Sequence, residues 1–193
     1  MIVLEHDSRF AGDSQYAFRH GLLREAAYAM LTDADRAAGH RIAGEWLEGA
    51  GEKDPLTLAD HFELGGEMKR AVPWLIRAAR AALNGANFET TITLAIRGLD
   101  CGAENFERGV LELLRAAALF ERGELLACVD RGREAMRFLP VASPLWFSCA
   151  GYVFLVGAVS GDREKCLASG CNGYLAKPFT HRELDAAIRK LVT

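Results

Sequence analysis

The sequence has no basic stripe: its 23 Lys and Arg are scattered among 26 Asp and Glu, for a formal net charge of −3. No face is left to track a phosphate backbone, so nucleic acid is not expected as a partner. CxxC spacing is also missing. The five cysteines, Cys101, Cys128, Cys149, Cys166 and Cys171, lie in apolar helical patterns or beside a turn. They read as reduced, buried small apolar residues, which implies a cytoplasmic protein. The segment from Met1 to Asp7 lacks a basic n-region, and its apolar run is too short for a signal peptide. The chain contains no GxxxxGK[ST], HExxH or GxSxG motif and no cluster with metal-ligand spacing. Catalytic residues, metal sites and cofactors are therefore expected to be none.

Charge is absent altogether from Phe138 to Gly161, a length that makes a formal membrane-span candidate. Pro140, Ser143, Pro144, Ser148, Gly151 and Ser160 interrupt it. Ser143-Pro144 reads as an N-cap followed by proline at the first helical position. A buried helix is expected here, and no membrane. With 193 residues, half of them hydrophobic, the chain can bury one good core or two small ones.

What is present is mostly helical periodicity. After an extended stretch at Tyr16 to Arg19, Leu22, Leu23, Ala26, Ala27, Met30 and Leu31 keep one apolar face at helical spacing. Thr32 should cap a second helix with Ile42, Ala43, Trp46 and Leu47 inward, stopped at Gly49-Ala50-Gly51. Lys53-Asp54-Pro55 opens a short helix bearing Leu58, Ala59 and Phe62 that ends at Gly65-Gly66. A longer helix follows with Ala71, Val72, Leu75, Ala78, Ala79 and Leu83, in which Pro73 marks a kink or the true start. Past Asn84-Gly85-Ala86-Asn87 the stripe is Phe88, Ile92, Ala95, Ile96 and Leu99. The next is Val110, Leu113, Leu114, Ala117 and Phe120, up to the turn Arg122-Gly123-Glu124. The last is Leu125, Cys128, Val129, Gly132, Ala135 and Met136, closed by Pro140.

The turns at Gly85 to Phe88 and Arg122 to Leu125 lie about one helix pair apart, near the ~34-residue period of tetratricopeptide arrays. From Leu56 to about Tyr152 the sequence resembles such repeats; an irregular bundle with the same periodicity is the other reading. Upstream, Ser8-Arg9-Phe10-Ala11-Gly12 and the run from Tyr16 to Tyr28 resemble the end of the ATPase module in STAND-type bacterial signalling ATPases. These are often fused to serine/threonine kinase or adenylate cyclase domains. Arg41-Ile42-Ala43 and Ala59 to Glu63 continue the similarity. The resemblance implies a tail leading from a winged-helix region into helical repeats, with a scaffold or sensor role. His20, where strand turns into helix, reads as a capping or packing residue.

At the C-terminus, Gly161 to Gly170 reads as a short helix, Tyr174 to Lys177 as a strand, and Thr180-His181-Arg182-Glu183 as a capping box for a helix with Leu184, Ala187, Ile188 and Leu191 inward. This run resembles the end of response-regulator receiver domains. By that resemblance Lys177 would be the lysine that contacts a phosphoaspartate, and Pro178 would follow a cis peptide. A receiver's acceptor aspartate and acidic metal ligands should precede Gly161. Counting back puts its switch hydroxyl near Leu155, which has none, and Glu5 and Asp7 only faintly match the acidic pair. Lys177 and Pro178 are thus expected to be a phosphoryl-contact remnant.

The expected fold is mainly α: an antiparallel helical-repeat array with a small helix-strand-helix receiver remnant. Its expected divisions are 1–52, the winged-helix/ATPase-associated tail; 53–152, the repeats; and 153–193, the partial receiver. The expected function is a non-catalytic scaffold or interaction segment of a bacterial signal-transduction protein, partnered by a kinase or other signalling protein. Two alternatives stand beside it: a phosphorelay receiver completed by another chain or a hybrid kinase, and an unrecognised enzyme.

Overall fold

The computed structural model describes residues 2–5, 10, 12 and 14–159. The expected helix-strand-helix segment, with Lys177 and Pro178, lies outside them. Among the described residues the protein is mainly helical, with eight helices and one two-stranded sheet. It divides into two compact units between Trp74 and Leu75, inside α4.

In the first unit, β1 (Ile2–Glu5) pairs antiparallel with β2 (Gln15–Phe18), Ile2 opposite Phe18 and Leu4 opposite Tyr16. These four side chains share one face and are exposed, while Val3 and Ala17 on the other are half-buried. α1 (Gly21–Ala29) follows, then α2 (Asp33–Gly49), α3 (Pro55–Leu64) and α4 (Met68–Asn84). The caps fall where the sequence put them. Thr32 Oγ1 accepts from the Asp35 N–H at 3.1 Å, and the Asp54 carboxylate accepts from the N–H groups of Leu56 and Thr57, with Pro55 in the first turn. Leu58, Ala59 and Phe62 are fully buried. Each large apolar side chain so buried contributes about 1.5–3 kcal/mol.

Three expectations for this unit need correction. The apolar face of α1 is real but uncovered: no residue of α1 is buried, and Leu22 and, just past its end, Met30 are 80% and 85% exposed. Periodicity reports which face is apolar, not what packs on it. Ile42 and Trp46 of α2 are exposed too. The inward face of α2 centres on Gly44, where an added Cβ would stand 3.1 Å from the Phe62 ring. A glycine carries no hydropathy signal, so the apolar stripe marks only part of the inward face: Ala43 and Leu47 are half-buried beside Gly44. Pro73 is not the helix start: α4 begins at Met68, and Pro73 sits inside, removing one N–H from the helical ladder.

The second unit holds α5 (Phe88–Asp100), α6 (Asn105–Glu121), α7 (Leu125–Met136) and α8 (Pro144–Val159). α6 is the central element, packing against α5, α7 and α8, and it is buried on most sides from Gly109 to Leu119. Close approach is set by small residues. An added Cβ at Gly98 would meet Leu111 at 2.8 Å, at Gly109 it would meet Leu139 at 2.9 Å, and at Gly132 it would meet Val153 at 3.3 Å. The buried face of α5 is therefore Thr91, Leu94, Ala95 and Gly98, and the expected Ile96 is exposed. Thr91 tolerates full burial because its hydroxyl donates to the Asn87 carbonyl at 2.9 Å. The uncharged stretch forms α8 as expected, with Ser143 Oγ accepting from the Trp146 N–H at 3.2 Å. It is buried on one face only: Cys149, Val153 and Val156 are covered, Phe147, Phe154 and Leu155 exposed.

Five helices end alike. The residue two past the helix is left-handed (Gly51, Gly66, Ala86, Gly102 and Gly123), and the following N–H bonds back five residues, as Glu67 does to Phe62 at 2.8 Å and Asn87 to Ala82 at 2.9 Å. Four of the five are glycine. Ala86, at φ +56°, is the exception, and a side chain there costs about 1–2 kcal/mol. Ala86→Gly is accordingly expected to stabilise the protein by about 0.5–1 kcal/mol after glycine's extra unfolded entropy. A rise in the urea midpoint at unchanged slope checks it; a fall would mean the left-handed turn does not govern this site.

Candidate functional site

The first unit contains a chain of polar side chains that links three helices. Tyr28 Oη, near the end of α1, lies 2.8 Å from Nε2 of His40 on α2, and His40 Nδ1 lies 3.1 Å from Nδ1 of His61 on α3. The His40 and His61 rings sit 5.1 Å apart at centroids, and the Arg36 guanidinium covers the Tyr28 ring at 5.5 Å. Burial and the neighbouring His40 lower the His61 pKa, against a smaller opposing effect of Asp60. The sequence reading missed this cluster because its members are 12 and 21 residues apart and match no motif. On the other edge of α2, Glu45 and Glu48 each accept from Arg70 at 2.9 Å, and the Arg70 guanidinium lies 4.3 Å from the Phe62 ring centroid. The pairs are solvent-exposed and contribute little, while the guanidinium covers apolar surface.

Among the described residues of the second unit one carboxylate is buried. Glu112 of α6 receives Arg115 Nη1 at 3.2 Å on both oxygens, and Arg131 of α7 approaches to 3.6 Å. Ala116, Leu119 and Cys128 form a core patch beside it, lined by Ile92, Phe120, Ala127 and Tyr152. Burial pushes the Cys128 and Cys149 thiols up to about 11, so they stay protonated and poorly nucleophilic near neutrality. This agrees with their reading as small apolar core residues, and Cys101 is buried as well.

The remaining residues singled out from the sequence fall as follows. His20 stands at the N-cap position of α1, but its side chain makes no cap bond; its carbonyl accepts from the Leu23 and Arg24 N–H groups. Glu5 ends β1 opposite Gln15, and Asp7 lies outside the described residues. Leu155 belongs to helix α8. The boundary expected between 152 and 153 falls inside the same helix. Among the described residues no three His, Cys, Asp or Glu side chains converge as metal ligands, and no helix is long and apolar enough to cross a membrane. No family model, curated protein or solved structure matches this chain.

Proposed function

We propose that this chain is a non-catalytic, protein-binding helical segment of a bacterial signalling protein, related to the repeat region of STAND-type ATPases. The observation that carries the reading is α8. Its inner face is packed, yet Phe147, Phe154 and Leu155 stand exposed on a helix without a single charge. Contiguous exposed apolar surface of that kind marks a contact for another protein. The helix lengths lend support. Short and long helices alternate in three successive pairs, of 10 and 17, 13 and 17, and 12 and 16 residues. Their first members start 33 and 37 residues apart, at Pro55, Phe88 and Leu125, near the ~34-residue tetratricopeptide period. The partner in this reading is a kinase or another signalling protein of the cytoplasm. The receiver-like tail, with Lys177 and Pro178, is a remnant with no phosphoryl group to hold.

A photo-crosslinking amino acid at position 154 tests the reading in cells that express the chain natively. A discrete protein adduct from position 154, and none from the exposed, charged position 89, is the expected result. Equal labelling from both positions, or none from either, would count against an interface on α8. In parallel, the purified chain incubated with Mg²⁺ and acetyl phosphate should keep its mass. A stoichiometric aspartyl adduct lost in Lys177→Ala would instead reveal a working receiver.

A further inference from the structure

We propose that Tyr28, His40 and His61 form a pH-sensitive latch that holds the end of α1 to α2 while the histidine pair carries at most one excess proton, and releases it when both imidazoles are charged. The geometry dictates this. Two Nδ1 atoms 3.1 Å apart can share a hydrogen bond only if one bears a proton and the other a lone pair. When the pair is neutral, the chain runs in either direction. Tyr28 donates to His40, which donates to His61, or His61 donates to His40, which donates to the Tyr28 oxygen. A first proton on the pair leaves such a chain intact, because one Nδ1 lone pair remains to accept. A second puts N–H against N–H and two cations in contact, so one ring must swing away, and His40, the ring that also meets Tyr28, is the one whose departure frees α1.

Charged neighbours act on both sides of the balance. From α2, Arg36 lies over the Tyr28 ring, although Asp33 pairs with it; from α3, Asp60 is the carboxylate that favours the charged form of His61. α1 has no buried residue, and among the described residues the Tyr28–His40 bond and the Arg36–Tyr28 contact tie it to α2. Because the folded pKa of His61 is lowered, the unfolded chain binds the proton more readily. The stability this group contributes is complete above its unfolded value of 6.5 and is lost as pH falls from there through the folded pKa. Release detaches the Tyr28 ring, and with it the end of a helix whose apolar side chains Leu22 and Leu23 are already exposed. The latch thereby makes the anchoring of that helix depend on acidity.

Amide hydrogen exchange of the full chain, corrected for intrinsic rates, tests the latch at pH 7.5 and 5.0. In the wild type, protection of Gly21 to Leu31 is expected to fall about tenfold at the lower pH, while that of α6 holds, as expected for one local opening step. In His61→Gln, which keeps a polar side chain but cannot take the second proton, the fall should vanish, and His40→Gln should abolish it from the other partner. Tyr28→Phe keeps the ring and removes the hydroxyl; its α1 should exchange freely at both pH values. The latch is overturned if wild-type α1 is unprotected at pH 7.5 or equally protected at both pH values. It is also overturned if the fall persists in either histidine variant, or if Tyr28→Phe behaves as wild type.

Discussion

Gly65→Ala is expected to destabilise the first unit by about 3 kcal/mol, at the upper end for adding one methyl to a tight contact. The added Cβ would lie 2.9 Å from Arg41 N, 3.0 Å from Arg41 Cα and 3.0 Å from the His61 carbonyl oxygen. All three are backbone atoms, so no rotamer change relieves the overlap. Helices α2 and α3 would have to separate at the place where His40 meets His61. The neighbouring Gly66 provides the contrast. It has φ +76° and open space around the added Cβ, so Gly66→Ala should cost only about 1 kcal/mol of left-handed backbone strain. Gly39, inside α2 with nothing within 4 Å, should gain stability on replacement by alanine, by up to about 1 kcal/mol of helix propensity. Native-state hydrogen exchange over α2 and α3 reads all three variants in one unit. Equal protection in Gly65→Ala and Gly39→Ala would show that the two helices are not held at backbone contact.

That series also explains what was legible in the sequence. Helix limits were, because caps and stops are local chemistry. Thr32, Asp54 and Ser143 bond to N–H groups within three residues, and the Gly51, Gly66 and Gly123 stops act on the turn they follow. Buried faces were legible only where large side chains define them, as in α3 with Leu58 and Phe62. Where a glycine sets the contact, as Gly44 does in α2 and Gly98 in α5, the apolar stripe points elsewhere, since close approach leaves no mark in hydropathy. The exposed faces of α1 and α8 could not be anticipated because covering depends on partners distant in sequence. The Tyr28–His40–His61 chain escaped for the same reason: its links join three helices by tertiary geometry alone.

Glu112→Ala is expected to cost the second unit about 3 kcal/mol, more than any exposed ion pair in the chain could. The Glu112 side chain is only 3% exposed, on the most enclosed helix among the described residues, and Arg115 beside it is 20% exposed. Taking both charges out of water is unfavourable, and the two 3.2 Å contacts to Arg115 Nη1 offset that cost. Removing the carboxylate leaves the guanidinium in place with nothing to answer it, and its Nε is already buried without a hydrogen-bond partner among the described residues. Glu112→Gln keeps the shape and one acceptor, so about 1–2 kcal/mol is expected. The pair Glu112→Met with Arg115→Leu removes both charges while filling the space, and should recover most of the loss. Arg131→Leu should cost less than about 1 kcal/mol, because Arg131 is 35% exposed and stands 3.6 Å away. Urea unfolding of these chains, together with Glu112→Met and Arg115→Leu as single changes, measures these differences. A double variant as unstable as the sum of its single changes would mean that Glu112 and Arg115 act independently, and that the buried carboxylate is held by something other than its arginine.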